Sequence, residues 1–183
     1  MNERNDLQTR IEEARVLAHS QQTVQLATCN SAGIPEASYA PFVESEGRYY
    51  IYVSELAKHC ANLAATGRCA AMFIESEADA KNPFARRRLT LQCTAIELER
   101  GSEAFNAMLN KFHERFGKFM DVISPLLDFH LYQLTPVQGG FVAGFAKAYV
   151  LSGENLADIR WRDEEGHSSP DAKSRATLDE MIN

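Results

Sequence analysis

Two groups of side chains in this sequence are suited to chemistry or ligand binding: its five histidines and a run of three arginines. His59 follows Lys58 at a predicted helix start, where unpaired backbone amides can bind an anion. His167 lies between Gly166 and Ser168, in a polar segment near the end of the sequence. A neutral imidazole is a common metal ligand, but a lone histidine next to a glycine is usually exposed to solvent. The residue types alone therefore leave His167 open, as either a surface residue or a ligand.

The arginine run, from Arg86 to Arg88, is the densest cluster of positive charge in the sequence. Guanidinium groups bind carboxylates and phosphates through paired hydrogen bonds. The same run at the start of a strand is also explained by solvent exposure or by acidic neighbours. Gly139, Gly140 and Gly144 do not form a dinucleotide-binding fingerprint, because no helix signal follows them. Both interpretations of the arginines stay open at this point.

The composition limits the class of protein. The 183 residues are 45% hydrophobic and 24% charged, as in a single globular domain large enough to form its own core. The net charge of −6 argues against a nucleic-acid-binding protein and against adhesion to anionic membranes. The N-terminal residues lack the apolar core of a signal peptide, and no apolar run is long enough to span a membrane. The four cysteines show no CxxC spacing, which favours buried thiols in a reducing compartment. A cytoplasmic location is predicted.

The elements that would position the candidate residues are mostly short strands. An amphipathic helix is predicted within residues 1–20, from apolar side chains at helical spacing: Leu7, Ile11, Ala14 and Ala18. β-branched and aromatic runs bounded by turn residues predict six or seven strands, at residues 23–29, 37–44, 48–53, 68–74, 86–99, 129–135 and 141–151. A glycine-rich turn is expected between the last two strands.

Two further helices are predicted between the strands. A short helix covers residues 58–66 and ends at Gly67. A longer one begins at Ser102 and carries an apolar stripe that we interpret as core: Phe105, Met108, Leu109, Phe112 and Phe116. In the strand at 86–99 one face is lined by Leu89, Leu91, Cys93 and Ala95, and the apolar residues Ile96 and Leu98 then fall on the other face. This change predicts either a bulge or burial on both sides. The pattern predicts a small, mainly antiparallel barrel with helices outside it, whose uncovered side a partner subunit can cover.

Several strings of the sequence resemble the HutZ/HugZ family of heme-utilisation proteins, and the short HutZ type is the nearest. The resemblance runs in order from Thr23 to His167 with little gapping. Its most distinctive strings are FARRRLT at Phe84–Thr90 and AGFAKAY within Gly139–Gly153. The remaining strings are SYAPFV at Ser38–Val43, AKHCANL at Ala57–Leu63, ERFG at Glu114–Gly117, LLDFHLYQL at Leu126–Leu134 and EEGH at Glu164–His167.

The resemblance implies the split-barrel fold of the pyridoxamine phosphate oxidase-like flavoproteins. This fold is mainly β with helices (α+β), has a six- to seven-stranded antiparallel barrel, and forms a homodimer. A single domain would occupy residues 1–167, and we expect the polar tail at 168–183 to be mobile. The resemblance also implies that the protein binds heme near the dimer interface. It would open the porphyrin ring with dioxygen and electrons, and release iron.

The same resemblance implies roles for individual residues. His167 corresponds to the axial ligand of the heme iron, and Asp128 to the carboxylate that contacts this histidine across the dimer. A carboxylate on the second ring nitrogen would fix the tautomer of the ligand and raise its basicity. Arg88 and His59 occupy positions associated with the heme pocket. The spacing between Asp128 and His167 is one residue longer here than in the family, around residues 160–162.

Two other functions remain as alternatives. Flavin-binding split barrels hold the FMN phosphate with an arginine and a lysine on one strand and an Arg-Lys pair at the next helix. The corresponding positions here are Ser38, Val43, Lys58 and His59. Only one certain cation remains among them, which weakens FMN binding, although the arginine run could contribute charge. Lys58 and Arg86 are therefore further candidates for cofactor binding. The second alternative is a non-enzymatic heme carrier or store that uses the same pocket.

Overall fold

The computed structural model describes residues 3–145 and 147–162 of the chain. These residues form four α-helices: α1 (Glu3–His19), α2 (Lys58–Thr66), α3 (Glu103–Phe116) and α4 (Phe119–Ile123). They also form eight strands: β1 (Thr23–Cys29), β2 (Pro35–Ser45), β3 (Arg48–Ser54), β4 (Arg68–Ile74), β5 (Arg88–Glu97), β6 (Phe129–Gly144), β7 (Lys147–Ser152) and β8 (Asp158–Trp161). Short 3₁₀ turns lie at Pro83–Ala85 and Glu154–Leu156. Within this part of the chain, the helices are too short or too polar to cross a membrane.

All eight strands belong to one antiparallel sheet, in the order β3-β2-β1-β4-β5-β6-β7-β8. β3 also pairs with β6, from Tyr49 opposite Leu134 to Ser54 opposite Phe129. This second pairing closes six strands into a barrel and leaves β7 and β8 as an extension along β6. The predicted antiparallel barrel with helices outside it is confirmed. The sequence did not predict β8, of whose residues Ile159 packs against the core.

The barrel interior is the main hydrophobic core, because successive side chains of a strand point to opposite faces. The inward face predicted for the fifth strand is confirmed, and its four residues are buried: Leu89, Leu91, Cys93 and Ala95. α1 packs its apolar stripe on the same core through Ile11, Ala14, Leu17 and Ala18. All four cysteines are free thiols, as predicted, and three of them are buried: Cys60, Cys69 and Cys93.

A second, smaller core lies between the outside of the barrel and α3. Side chains from β3 and β6 meet the helix there, including Tyr50, Tyr52 and Leu131. The predicted apolar stripe of α3 forms the other half, with Phe105 and Phe112 buried, which confirms its interpretation as core. The helix begins where predicted, because the hydroxyl group of Ser102 accepts a hydrogen bond of 3.2 Å from the amide of Phe105.

The predicted glycine-rich turn between the last two strands is wrong. β6 continues through Gly139 and Gly140, and the chain turns only after Gly144, whose φ is 149°. Gly139 serves close packing instead of a turn, since a Cβ at this position would lie 3.1 Å from Cδ2 of Leu91 and 3.3 Å from Leu151. A glycine pair in an extended run therefore marks a close approach of the neighbouring side chains.

After Ala95, where the sequence predicts a bulge or burial on both sides, β5 pairs regularly with β6 and Ile96 is 59% exposed, so this prediction is wrong. A β-bulge between the two strands lies earlier. Gln92 lies opposite Gln138, but Cys93 lies opposite Pro136. Val137 is therefore the extra residue, and it lies on β6 and not on β5. Pro136 has no amide hydrogen to give to a ladder, and a bulge is one of the few strand positions that tolerates it.

Candidate functional site

Asp128 lies directly before β6 and is held by the end of β3. The hydroxyl group of Ser54 donates a hydrogen bond of 2.7 Å to Oδ2 of Asp128 and accepts one of 3.1 Å from the amide of Leu56. The amide of Glu55 donates to the carbonyl oxygen of Asp128 at 2.8 Å. Among the described residues, none donates a hydrogen bond to Oδ1. Asp128 is therefore fixed through one oxygen and can accept a hydrogen bond through the other.

Arg100 holds the loop that leads into Asp128. Its guanidinium group donates to four acceptors at 2.6–3.3 Å: the carbonyl oxygens of Ser124, Leu126 and Phe129 and the hydroxyl group of Tyr52. Backbone carbonyl groups at the end of α4 and in the loop after it are thereby satisfied by a side chain. Sequence reasoning missed Arg100, because its acceptors are mainly backbone carbonyl groups, which no residue type reveals.

His130, two residues after Asp128, lies between two carboxylates. Its Nδ1 is 2.6 Å from Oε1 of Glu97, and its Nε2 is 2.8 Å from Oε1 of Glu55. The hydrogen bonds to Glu97 and Glu55 raise the pKa of His130 above its usual value, although burial acts in the opposite direction. His130 thus connects the ends of β3 and β5 across β6. The sequence placed this histidine on a strand but did not determine which face it occupies.

Lys58 and His59 lie at the start of α2, and both contact residues of β2. His59 is only 8% exposed, and its Nδ1 lies 3.0 Å from Oγ of Ser38. Burial lowers the pKa of His59, which favours its neutral form. Nζ of Lys58 forms an ion pair with Oε2 of Glu36 at 3.5 Å. This helix start therefore offers little net positive charge to a phosphate dianion.

The three arginines of the run have different surroundings. Arg86 forms an ion pair of 3.1 Å with Glu77 and also donates to the carbonyl oxygen of Glu75. Arg87 forms an ion pair of 2.7 Å with the carboxylate of Glu75. Arg88, the first residue of β5, has no hydrogen bond or ion pair from its side chain to any residue in the described part of the chain. Of the three, Arg88 has the guanidinium group with most capacity left for a ligand.

A cleft of about 450 Å³ lies on the outer face of β5–β8. Its floor contains Gly140 and Val150, which lie opposite each other in β6 and β7. Thr90, Gln92 and Gln138 line it on the side of β5 and β6, and Arg160 and Arg162 line it on the side of β8. No carboxylate is among its described lining residues. We call this cavity the arginine cleft.

A larger cleft of about 820 Å³ lies beyond the ends of β5 and β6, and we call it the turn cleft. Apolar residues of the Pro83–Ala85 turn line it, including Phe84, which is 86% exposed. Lys81, Arg87 and Lys147 contribute positive charge to this cavity, while Glu75 and Asp79 contribute carboxylates.

The predicted site residues fall into separate groups. Ser54, which holds Asp128, precedes Lys58 and His59 by only four and five residues, so these candidates lie near the N-terminal end of β6. Arg88 lies near the C-terminal end of the same strand, opposite Val142, and Arg86 is two residues before it. His167 lies outside the described residues. Within the described ranges, no three side chains that could ligate a metal ion converge.

The chain matches a known protein family and one curated relative along most of its length. The model of the family described as pyridoxamine 5′-phosphate oxidase matches residues 11–143. Heme oxygenase HutZ of Vibrio cholerae serotype O1 is 43% identical to this chain over 162 residues. The alignment covers 88% of this chain and 92% of HutZ.

Solved structures with the same fold include proteins described by their relation to heme. A crystal structure of HutZ, described as the heme storage protein from Vibrio cholerae, has a TM-score of 0.68 and 38% identity, covering 73% of this chain and 93% of that one. The crystal structure of Campylobacter jejuni ChuZ has a TM-score of 0.77 and 33% identity, covering 87% of this chain and 64% of that one. The structure of a heme binding protein from Mycobacterium smegmatis has a TM-score of 0.71 and 26% identity, covering 81% of this chain and 60% of that one.

Proposed function

Because the chain belongs to the pyridoxamine 5′-phosphate oxidase family and, within it, to the group that contains HutZ, we propose that it is a heme-degrading enzyme. It binds heme and opens the porphyrin ring with dioxygen and electrons from an external donor, which releases iron. The observation that carries this proposal is the 43% identity to heme oxygenase HutZ, across nearly the full length of both chains. The surroundings of Asp128 support it, because a carboxylate with one uncommitted oxygen is suited to orient a histidine ligand.

The residues of this chain have three tasks in such a reaction, while heme itself supplies the iron at which dioxygen is reduced. His167 provides the imidazole ligand. Oδ1 of Asp128 accepts a hydrogen bond from the second ring nitrogen of that histidine, which fixes the tautomer and increases electron donation to iron. Ser54 keeps Oδ2 occupied at 2.7 Å, so that the carboxylate cannot rotate away. Arg88 offers its positive charge to the anionic substrate.

We propose that these residues meet in a homodimer, where Asp128 of one chain contacts His167 of the partner subunit. From Asp128 to Val142 the chain follows β6 for roughly 45 Å. In the sheet, Ala148 lies between Val142 and Arg162, so Arg162 is two strands from the end of β6. The five residues from Arg162 to His167 span at most about 18 Å. The ladders with β3 and β5 prevent β6 from folding back on itself. This separation supports pairing between two subunits.

The outer face of the barrel offers a surface for the second subunit. Six of its side chains on β2, β1 and β4 are small or apolar, and they are exposed or half-exposed: Ala37, Tyr39, Ala27, Ala70, Met72 and Ile74. The largest of these exposed side chains, that of Tyr39, is 67% exposed. An apolar sheet face of this kind is typical of an interaction surface. In a two-fold symmetric dimer, each contact made by one subunit occurs twice, so two equivalent sites would form.

Two alternative functions are distinguished by particular observations. The description of the Vibrio cholerae HutZ crystal structure as a heme storage protein favours a heme store as the second candidate. FMN dependence is less well supported, because the charge of Lys58 is balanced by Glu36 and His59 favours its neutral form. A phosphate would then depend on a guanidinium group such as that of Arg88.

A hemin titration tests the proposed function. The purified protein should develop a Soret band with hemin, and ascorbate in air should bleach this band and release iron that a chelator captures. A heme store would keep the band under the same conditions, and an FMN enzyme would be yellow as purified.

The variant His167→Ala tests the assignment of the iron ligand. We expect it to lose or shift the Soret band, because the imidazole that binds iron is removed. His113→Ala is a matched control, since His113 lies on α3 with its Nδ1 3.3 Å from Asp121. An unchanged spectrum in His167→Ala would show that another residue binds iron.

A further inference from the structure

Three arginines share one face of the sheet around the arginine cleft. Arg88 lies opposite Val142 in the pairing of β5 with β6, and Val142 lies opposite Ala148 in the pairing of β6 with β7. The amide of Arg162 donates to the carbonyl oxygen of Ala148. Paired residues of neighbouring strands point to the same face. Arg88 and Arg162 are therefore the two ends of one row across the sheet, about 14 Å apart at three strand spacings.

The next row along the sheet has the same design. Thr90 lies opposite Gly140, and Gly140 lies opposite Val150. Val150 in turn lies opposite Arg160. The floor at Gly140 is open, because a Cβ placed there would find no atom nearer than the carbonyl oxygen of Tyr149, at 3.9 Å. The two rows together form a shallow floor of small or apolar residues with two arginines at its β8 edge.

This surface matches a flat apolar molecule that carries carboxylates at one side. Burial of the apolar ring on the floor supplies non-directional affinity, while guanidinium groups bind carboxylates through charge-assisted hydrogen bonds. We propose that Arg160 and Arg162 bind the propionate carboxylates of heme, and that the porphyrin ring lies over the floor between these residues and Arg88. The proposal rests on the proposed function and adds to it the residues that bind and orient the substrate.

The charges around the cleft support this assignment. Asp158 precedes Arg160 on β8 and shares its face, but its carboxylate lies against Gly153 at the turn, where a Cβ would collide with it. Within the described residues, the side chain of Arg160 forms no ion pair. The turn cleft carries charges of both signs, because Glu75 and Asp79 line it together with Lys81, Arg87 and Lys147, so its positive charge is partly cancelled. Arg160 and Arg162 thus place two cations at the β8 edge of the floor, with no carboxylate among the described lining residues of the arginine cleft.

Binding of hemin and of its dimethyl ester, in which both propionates are uncharged, separates the roles of ring and carboxylates. The wild-type protein should bind hemin more tightly than the ester in a Soret titration. Arg160→Gln and Arg162→Gln should each weaken hemin binding by about threefold to tenfold, and the double variant by the product of the two effects. Binding of the ester should stay unchanged, because the floor remains intact. Arg48→Gln is the matched control: it removes an exposed arginine at the start of β3, opposite Ser45 and outside the lining of the cleft.

The outcomes separate failure of this inference from failure of the proposed function. If the wild-type protein gives no Soret band with either compound, the proposed function itself is wrong. If the wild-type protein binds hemin, two results with the double variant would contradict the assignment of Arg160 and Arg162: unchanged binding of hemin, or equal loss of hemin and ester binding. Heme binding itself would stand in both cases. If Lys147→Gln weakens hemin binding selectively in their place, the propionates lie in the turn cleft. Circular dichroism of the variants checks that each is folded.

Discussion

At the scale of single residues, Asp128 and His130 lie two positions apart and have different partners. Asp128 accepts a hydrogen bond from the neutral hydroxyl group of Ser54 and keeps Oδ1 available. His130 has both ring nitrogens next to carboxylates, at 2.6 Å and 2.8 Å. Only Asp128 can therefore offer an acceptor to an incoming histidine, while His130 stabilises the strands around it.

We expect Asp128→Asn to keep heme binding but to slow turnover by about tenfold to a hundredfold, as is typical when the partner of a metal ligand is changed. The amide is neutral, so it donates less electron density to iron through the histidine. Single-turnover bleaching of the Soret band measures the rate, and resonance Raman spectroscopy measures the iron–histidine stretching frequency, which should fall.

The variant Ser54→Ala provides the comparison for Asp128→Asn. It keeps the carboxylate but removes the hydrogen bond that orients it, so its turnover should lie between those of the wild-type protein and Asp128→Asn. Equal turnover and equal stretching frequency in the wild-type protein and Asp128→Asn would rule out the orienting role.

We expect His130→Gln to lower the free energy of unfolding mainly at acidic to neutral pH. The folded state raises the pKa of His130, so its stabilisation is fully present below the unfolded pKa of about 6.5 and is lost as pH rises through the folded pKa. Urea unfolding of both proteins across this range measures the difference. His59 has a lowered pKa and acts with the opposite sign, but it is present in both proteins and cancels in the comparison. A difference that does not change with pH would contradict the expected role.

At the scale of elements, β6 connects all parts of the proposed site. Its first residues pair with β3 beside Asp128, its middle carries the bulge at Val137, and its last residues pair with β7 beside the arginine cleft. A strand with partners along both edges is held in register by many hydrogen bonds. The distance between its two ends is therefore set by the barrel.

The two adjacent glycines of β6 predict a contrast in stability. Gly139→Ala should lower the free energy of unfolding by about 1–3 kcal/mol, because the new methyl group would lie 3.1 Å from the buried side chain of Leu91. Gly140→Ala should be neutral or stabilising by up to about 1 kcal/mol, since its nearest neighbour is at 3.9 Å. Urea unfolding of both variants measures the contrast. Equal stability of the two variants would show that Leu91 moves aside without cost.

At the scale of the whole molecule, one chain holds the parts of the proposed site at the two ends of β6. Asp128 and the start of α2 lie near the N-terminal end, and Arg88 lies near the C-terminal end. A homodimer that uses the exposed face of β1, β2 and β4 would bring the N-terminal end of β6 in one subunit towards the C-terminal end of β6 in the other. The substrate would then bind where two chains meet.

A charge on this face should separate the subunits. We expect Ala70→Glu on β4 to shift the protein towards monomer in sedimentation velocity and to reduce heme turnover, because a carboxylate would be buried without a partner. Lys111→Glu adds a carboxylate to the exposed side of α3 and should leave the dimer intact. A dimeric Ala70→Glu variant with normal turnover would place the interface elsewhere.

The sequence by itself determined most of the barrel and the family. Alternation of apolar residues predicted the inward face of β5, and helical spacing predicted the apolar stripe of α3, because these periods are local properties of the backbone. The turn predicted at Gly139 and Gly140 was wrong, because glycine occurs both in turns and in closely packed strands. The assignment of His167 as iron ligand comes from resemblance and stays a prediction.

Only the tertiary structure decided which charged groups are already paired. Glu97 and Glu55 lie 33 and 75 residues from His130 in sequence, and barrel closure brings them to its ring. Likewise, the run of three arginines is uniform in sequence, but Glu75 and Glu77 pair with two of them, whereas Arg88 forms no ion pair with another described residue. Arg160 joins Arg88 on one face only through the registers of β6, β7 and β8. Local patterns fix which face a side chain takes, whereas strand register fixes what it meets there.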